Sequence, residues 1–270
     1  NVWRFNLSSS TPSAWQSQFL SGTTPKPLFT ALDSAATPLP QPITAQISVA
    51  KNTRTSDPNY GKTFVFFGTG RYVYSGDPAD MQVQTWYGLI DEGAPISSRS
   101  ELKQRTFASQ GTVGSYAVRV FSTATEGDMT GKKGWYVDLS YPVAQGERIV
   151  TRSALYHFLE PVLLASSIVP DPDPCRAGGG GFVNAIDPFT GGRLNYSPFD
   201  LNDDGKFDGS DKLDNAVVGS FDPSIGMPGE ATLVGDRLVV GGSSGDMADI
   251  RINTGNKRLG RLSWREILGD

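Results

Sequence analysis

The residues best spaced for chemistry lie in the run Asp200-Leu201-Asn202-Asp203-Asp204-Gly205-Lys206-Phe207-Asp208-Gly209-Ser210-Asp211. Oxygen donors fall at positions 1, 3, 5, 7, 9 and 12 with glycine at position 6, the pattern of a calcium loop. Asp200, Asn202 and Asp204 offer side-chain oxygens on alternate residues, and Lys206 offers its backbone carbonyl. Asp208 supplies an oxygen directly or through water, and Asp211 supplies the closing carboxylate. Gly205 permits the positive φ that turns a chain around an ion. Five carboxylates against one lysine repel one another until a cation offsets them, so the loop is expected to be strained without one. An all-oxygen, mostly protein cage suits Ca2+ better than Mg2+, which retains its waters.

Position 12 is aspartate, whereas helix-loop-helix sensors place glutamate there; in this the loop resembles extracellular loops of the dockerin kind. The preceding Gly191 to Phe199, with Pro198 near its end, is turn-like. The loop is therefore expected to be grafted onto a β framework.

Other chemistry is sparse. The chain has one histidine, His157, and one cysteine, Cys175, which excludes a histidine-only metal site and any disulfide within the chain. Cys175 to Gly181 is glycine-rich but lacks the Gly-Lys-Ser/Thr ending of a phosphate loop and reads as a turn. Asp91, Glu92, Asp138 and Asp187 could pair for glycoside chemistry, yet three of them end strand-like runs, where turn capping accounts for them. Lys and Arg number 24 against 28 Asp and Glu, a formal charge of −4, which argues against nucleic acid. No apolar run reaches the ~18 residues of a transmembrane helix.

The elements that must hold the loop are read as all-β. Gly 31 and Pro 18 favour turns over long helices, and hydrophobic residues at 38% supply a core. Aromatic-led segments recur at Val2 to Leu7, Thr85 to Asp91, Gly134 to Leu139 and Gly181 to Asp187, with a fifth at Met247 to Asn253. The first four start their aromatics at 3, 86, 135 and 182, hence intervals of 83, 49 and 47 residues. The last two match the ~40–50 residue blade of a β-propeller. About four blades fit the chain, alone or as part of a larger ring; a β-sandwich is the alternative. Further strands are expected at Lys62 to Gly70, Ser115 to Phe121, Arg148 to Thr151 and Arg237 to Gly242. Gln16 to Pro42, with five prolines, reads as an irregular surface excursion, and Thr151 to Ile168 as two strands joined at Pro161. Asn1 to Leu7 alternates like a strand and has no signal-peptide pattern, so the chain is expected to start inside a fold.

Two resemblances bear on function. Ala185-Ile186-Asp187-Pro188-Phe189-Thr190-Gly191 is similar to the blade-docking repeat of quinoprotein-type propellers, with Asn195 and Tyr196 where those place a downstream tryptophan. It reads as scaffold; the alternative is a quinoprotein-like dehydrogenase. The chain as a whole resembles the C-terminal propeller domain of the PilC/PilY family of type IV pilus tip adhesins and assembly factors. The resemblance is carried by Val2 to Leu7, by Phe66-Phe67-Gly68-Thr69-Gly70-Arg71-Tyr72, by Gly179 to Gly192, by the acidic loop and by Gly260-Arg261-Leu262-Ser263-Trp264-Arg265-Glu266-Ile267. It implies that residues 1–270 are one modified propeller domain or its C-terminal part, with a calcium loop inserted at 200–211. It also implies a non-enzymatic protein, exported through the periplasm to the pilus tip, that works with minor pilins or other tip subunits and with the rest of its parent chain. Such a protein supports pilus biogenesis by opposing retraction, attaches to a host or abiotic surface receptor, promotes twitching motility and responds to Ca2+. Relatives are implied to carry a disulfide near Cys175, for which this chain has no second cysteine.

Overall fold

A computed structural model describes residues 1–173 and 178–255. In chain order, β1 (Phe5–Asn6), β2 (Gln16–Ser17), β3 (Phe19–Ser21) and β4 (Thr24–Lys26) form two short ribbons. They are followed by β5 (Ser48–Lys51), β6 (Thr63–Gly68), β7 (Thr85–Asp91), β8 (Lys103–Arg105), β9 (Phe107–Val113), β10 (Tyr116–Phe121) and β11 (Gly134–Asp138). Then come β12 (Ala154–His157), β13 (Pro161–Pro170), β14 (Gly179–Ile186), β15 (Lys212–Leu213), β16 (Ala216–Val217), β17 (Ser220–Phe221), β18 (Thr232–Val234), β19 (Arg237–Gly241) and β20 (Met247–Arg251). The protein is all-β, as expected. Among the described residues no helix is long and apolar enough to cross a membrane.

Three sheets carry the architecture. One has the order β5-β6-β7-β11-β8, one β12-β13-β14-β17-β10-β9 and one β18-β19-β20. The first holds the antiparallel run β5-β6-β7-β11 and the second the antiparallel run β12-β13-β14-β17, each a four-stranded unit. Pro161 opens β13 directly opposite His157, a place where the missing amide proton costs no central ladder bond; the hairpin expected around it is present.

Side-chain alternation explains how the sheets stack. Along β6, Phe64 and Phe66 point into a cluster shared with Trp86, Trp135, Leu163, Ile186 and Phe189, whereas Val65 and Phe67 join Tyr87, Leu89 and the N-terminal Val2, Leu28 and Phe29. Along β13 the pattern repeats: Leu163 and Ala165 face the first sheet, and Val162 and Leu164 face Leu238, Val240 and Ile250 of the third. A strand covered on both faces carries apolar residues at every position, which is why Phe64 to Phe67 does not alternate with polar residues. Burying each of these aromatics contributes about 1.5–3 kcal/mol, enough to outweigh the absence of a polar face.

Four expectations change. The segments at Trp86 and Trp135 are antiparallel neighbours in one sheet, Trp135 opposite Gly88, so their 49-residue interval lies within a sheet and does not separate blades. Arg148 to Thr151 makes only an isolated bridge to Ile168, because the next amide, Ile149 N, donates to Thr69 O (3.1 Å) and leaves that ladder; the Arg148 guanidinium turns inward to the carbonyls of Arg71, Gly146, Asp77 and Asp80. Gln16 to Pro42 is not purely a surface excursion: Leu28, Phe29 and Ala31 are buried against the first sheet, Phe29 edge-on to Tyr87 at 5.2 Å. In the glycine-rich run expected as a turn, Cys175 to Ala177 lie outside the described residues, whereas Gly179, Gly180 and Gly181 are strand, opening β14 opposite Pro170, Val169 and Ile168, where the long β13 partner holds them in the ladder; Gly260 to Ile267 lie outside the described residues.

The quinoprotein-like segment joins the first two sheets. Asp187 Oδ1 accepts the amides of Phe189 (2.9 Å) and Thr190 (3.1 Å), and Trp135 Nε1 donates to the Pro188 carbonyl at 2.8 Å. Gly191, at φ +68°, lies against the Trp135 ring, where a Cβ would sit 2.4 Å from Cδ2. A tryptophan therefore does cover this turn, supplied by the neighbouring sheet instead of from downstream.

Candidate metal centre

The acidic run leaves the core at Phe199 and returns to it at Asp211. Phe199 is buried against Phe221 with ring centroids 4.9 Å apart and bridges Ile252. Asp200 and Asp211 are 2% and 0% exposed, while Asn202, Asp203, Asp204 and Asp208 are exposed. The donor positions thus divide into two anchored carboxylates at the ends and three solvent-facing side chains between them.

Backbone amides shape the loop. Asp200 accepts from Asp204 N (3.1 Å, Oδ1) and Gly205 N (2.8 Å, Oδ2), and Asp204 Oδ1 accepts from Lys206 N at 2.8 Å. Asp211 accepts from Leu201 N (2.7 Å, Oδ1) and Asp208 N (3.0 Å, Oδ2), closing the ring end to end. Gly205 takes φ +80°, as its place in the pattern requires, and Asp203 takes φ 55°, which aspartate tolerates. The turn Gly209–Asp211 is 3₁₀, capped by Asp208 Oδ1 on Ser210 N at 2.9 Å.

The donor chemistry fits a hard cation. Burial pushes the Asp211 carboxyl up from its ordinary value against the pull of two backbone amides, and the Asp200 and Asp204 carboxylates push it further in the same direction. The negative charges of Asp200 and Asp204 thus act on Asp211 at the buried end of the loop. Asn202 Nδ2 donates to Ser210 Oγ at 3.0 Å, and Asp208 Oδ1 accepts from the same hydroxyl at 2.7 Å. Among the described residues no three His, Cys, Asp or Glu side chains form a metal-holding group by themselves. The set proposed from the sequence also draws on the amide oxygen of Asn202 and the carbonyl of Lys206.

The loop's neighbours could not be read from spacing. Asp200 N donates to Arg251 O at 3.0 Å, which adds Pro198 to Asp200 as a further strand-like edge on β20. Arg251 also reaches the turn itself: a Cβ on Gly205 would lie 2.9 Å from its Nη1. Arg237 Nη2 stands 3.6 Å from Asp203 Oδ1. On the opposite side a Cβ on Gly114, in the β9–β10 turn, would meet Leu201 O at 2.6 Å.

The carboxylates considered for glycoside chemistry are each engaged by a cation. Asp91 pairs with Arg4 (2.8 Å), Glu92 with Lys62 (2.5 Å), Asp138 with Arg99 (2.5 Å) and Asp187 with Arg54 (2.8 Å), each with a different cation. His157 sits in β12 opposite Pro161, with its Nδ1 3.4 Å from the Phe158 carbonyl oxygen.

One ion pair beside the inter-sheet turn has a measurable signature. Arg105 grips Asp128 through both nitrogens (2.6 and 2.8 Å) while its Nε donates to Thr190 O at 2.8 Å. The Arg105 guanidinium, helped by the Thr125 amide, holds the Asp128 carboxyl down at about 2. A lowered folded-state value stabilises the fold above the ordinary 3.8, and that contribution fades as pH falls toward about 2. Thermal melting of the Asp128→Asn variant between pH 2 and 5 is expected to show a shallower acid limb than the parent; parallel limbs would remove this pair from the acid response.

No protein-family profile matches the chain. A type IV pilus biogenesis factor PilY1 homolog of Xylella fastidiosa is 35% identical over 274 residues, covering 99% of this chain and 20% of the relative. PilY1 of Pseudomonas aeruginosa is 30% identical over 271 residues, covering 90% of this chain and 22% of the relative. The crystal structure of the Pseudomonas aeruginosa PilY1 C-terminal domain superposes with a TM-score of 0.68 at 25% identity, over 90% of this chain and 50% of that one. The chain thus spans about a fifth of the length of the curated relatives it matches.

Proposed function

Since the chain belongs to the PilY1 family, aligned with its C-terminal domain, we propose that it serves type IV pilus biogenesis as a calcium-binding, non-enzymatic module. The observation that carries the reading is joint: 35% identity along 99% of the chain, together with an acidic loop whose terminal carboxylates are buried and whose turn is closed by its own amides. Bound Ca2+ supplies a fixed double positive charge among oxygens that otherwise repel. Asp200 and Asp211 hold the two ends of the loop to the core, Asp204 and Asn202 present oxygens on its outer arm, Lys206 contributes its carbonyl, and Asp208 caps the closing turn.

The stacked four-stranded units support a blade-like arrangement, which in this reading is completed into a propeller by the remainder of a longer domain. The module acts at the cell surface near the pilus tip, where it meets other tip subunits, opposes retraction and contributes to surface attachment and twitching. The Asp187 turn is scaffold in this reading, because its side chain and carbonyl neighbours are spent on the inter-sheet joint with Trp135.

The test is a chimera of Pseudomonas aeruginosa PilY1 in which this chain replaces the aligned segment. Restored surface piliation and twitching in a strain lacking the native factor are expected. A chimera that is exported and folded but yields no pili would overturn the assignment.

A further inference from the structure

Resting on the calcium reading, we propose that Arg237 and Arg251, both on the β19–β20 hairpin, set the divalent-cation affinity of the Asp200–Asp211 loop and tie its occupancy to the docking of that hairpin. Docking comes first in the argument. Phe199 bridges Ile252, Asp200 N donates to Arg251 O (3.0 Å), Asn253 N donates to Pro198 O (3.0 Å) and Asn253 Nδ2 donates to Ser197 O (3.1 Å). The backbone of Asp200 is therefore held by the main chain of residue 251, while its carboxylate is held by the amides of Asp204 and Gly205.

Charge follows the same path. The Arg251 guanidinium packs on the Gly205 turn, whose amide holds Asp200, and its Nε is buried without a hydrogen bond, 3.4 Å from Asp236 Oδ2. Arg237 is bonded to Asp249 across the hairpin and lies 3.6 Å from Asp203, a carboxylate at a non-donor position of the loop. A guanidinium stays charged at every physiological pH; Arg251, shared with Asp236, and Arg237, shared between Asp249 and Asp203, each keep a partly offset positive charge beside the loop that opposes an incoming cation. Both arginines thus lower the affinity while fastening the hairpin to the loop. By reciprocity the ion weakens the guanidinium contacts in the same measure, so any stiffening of β20 runs through the main-chain bonds of Pro198 and Asp200 to Asn253 and Arg251, which an ion that orders Asp200 also orders.

The experiment uses the whole chain and calcium chloride as the probe. Calorimetry is run on the parent, Arg237→Gln, Arg251→Gln and the charge-retaining Arg251→Lys, alongside hydrogen exchange of the β19–β20 amides with and without calcium. Each glutamine variant is expected to bind about two- to fivefold more tightly, as loss of one partly screened charge implies, and the lysine variant to stay near the parent. Calcium should slow exchange in Leu238–Val240 and Ala248–Ile250 of the parent. Unaltered affinity in both glutamine variants, or protection confined to residues 200–211, overturns the inference and leaves the calcium reading standing. No calcium response in the parent overturns both. If Arg251→Gln melts early, Arg237→Gln and the exchange data decide.

Discussion

Asp204→Ala is expected to abolish saturable calcium binding at about one site per chain. Asp204 is exposed, so if the calcium reading holds its removal takes away a ligand without leaving a buried group unpaired. Its fold-side role is one amide contact, to Lys206 N. Calcium at a hundred times its Kd raises the parent's stability by about 2.7 kcal/mol through mass action, and the variant's melting temperature should not respond. Calorimetry on chelator-stripped protein reads the site directly. If the parent gives neither heat nor a calcium-dependent shift in melting, the loop is an acidic turn, and the pilus assignment rests on kinship alone.

The second large effect is expected at a site remote from the loop. Arg119 and Glu147 are 2% and 4% exposed and meet through paired contacts of 2.7 and 2.9 Å. Arg119 Nε donates to Ser220 Oγ (3.1 Å), Nη2 reaches Asn184 Oδ1 (3.1 Å), and the guanidinium lies 4.2 and 3.5 Å from the ring centroids of Phe107 and Phe182. Ser167 Oγ donates to Glu147 at 2.5 Å. The network thus bonds β10, β13, β14 and β17 across one sheet. Glu147→Ala leaves a guanidinium charged and buried between two rings, and should cost about 3–5 kcal/mol in urea denaturation. Pairing Arg119→Met with Glu147→Leu should recover much of that loss, since replacing both charges removes the desolvation penalty along with the attraction. Equal losses in the single and double variants would show that the side-chain amide and hydroxyls, not the charges, carry the sheet.

Legible from local residues were the all-β class, the alternate-residue spacing of oxygen-bearing side chains from Asp200 to Asp211, the turn at Gly205 and the two strands that meet at Pro161. Each of these is written in residues a few positions apart: an alternate-residue donor series, a glycine where φ must be positive, a proline that cannot donate within a ladder. Strand periodicity was legible in the same local way, although Phe64 to Phe67 shows how a strand covered on both faces loses alternation and can be read only from its bounds. Tertiary structure alone decided which strands are neighbours. Trp86 and Trp135 looked like the same strand of successive units, yet they pair within one sheet, because pairing depends on which edges meet and not on the resemblance of the strands themselves. It also decided that Trp135 covers the Asp187 turn, that Phe29 closes the far face of the first sheet, and that Arg237 and Arg251 stand beside the acidic loop. Those contacts join residues separated by tens of positions in the chain, and their register is set by the packing of whole sheets, a quantity no local spacing encodes.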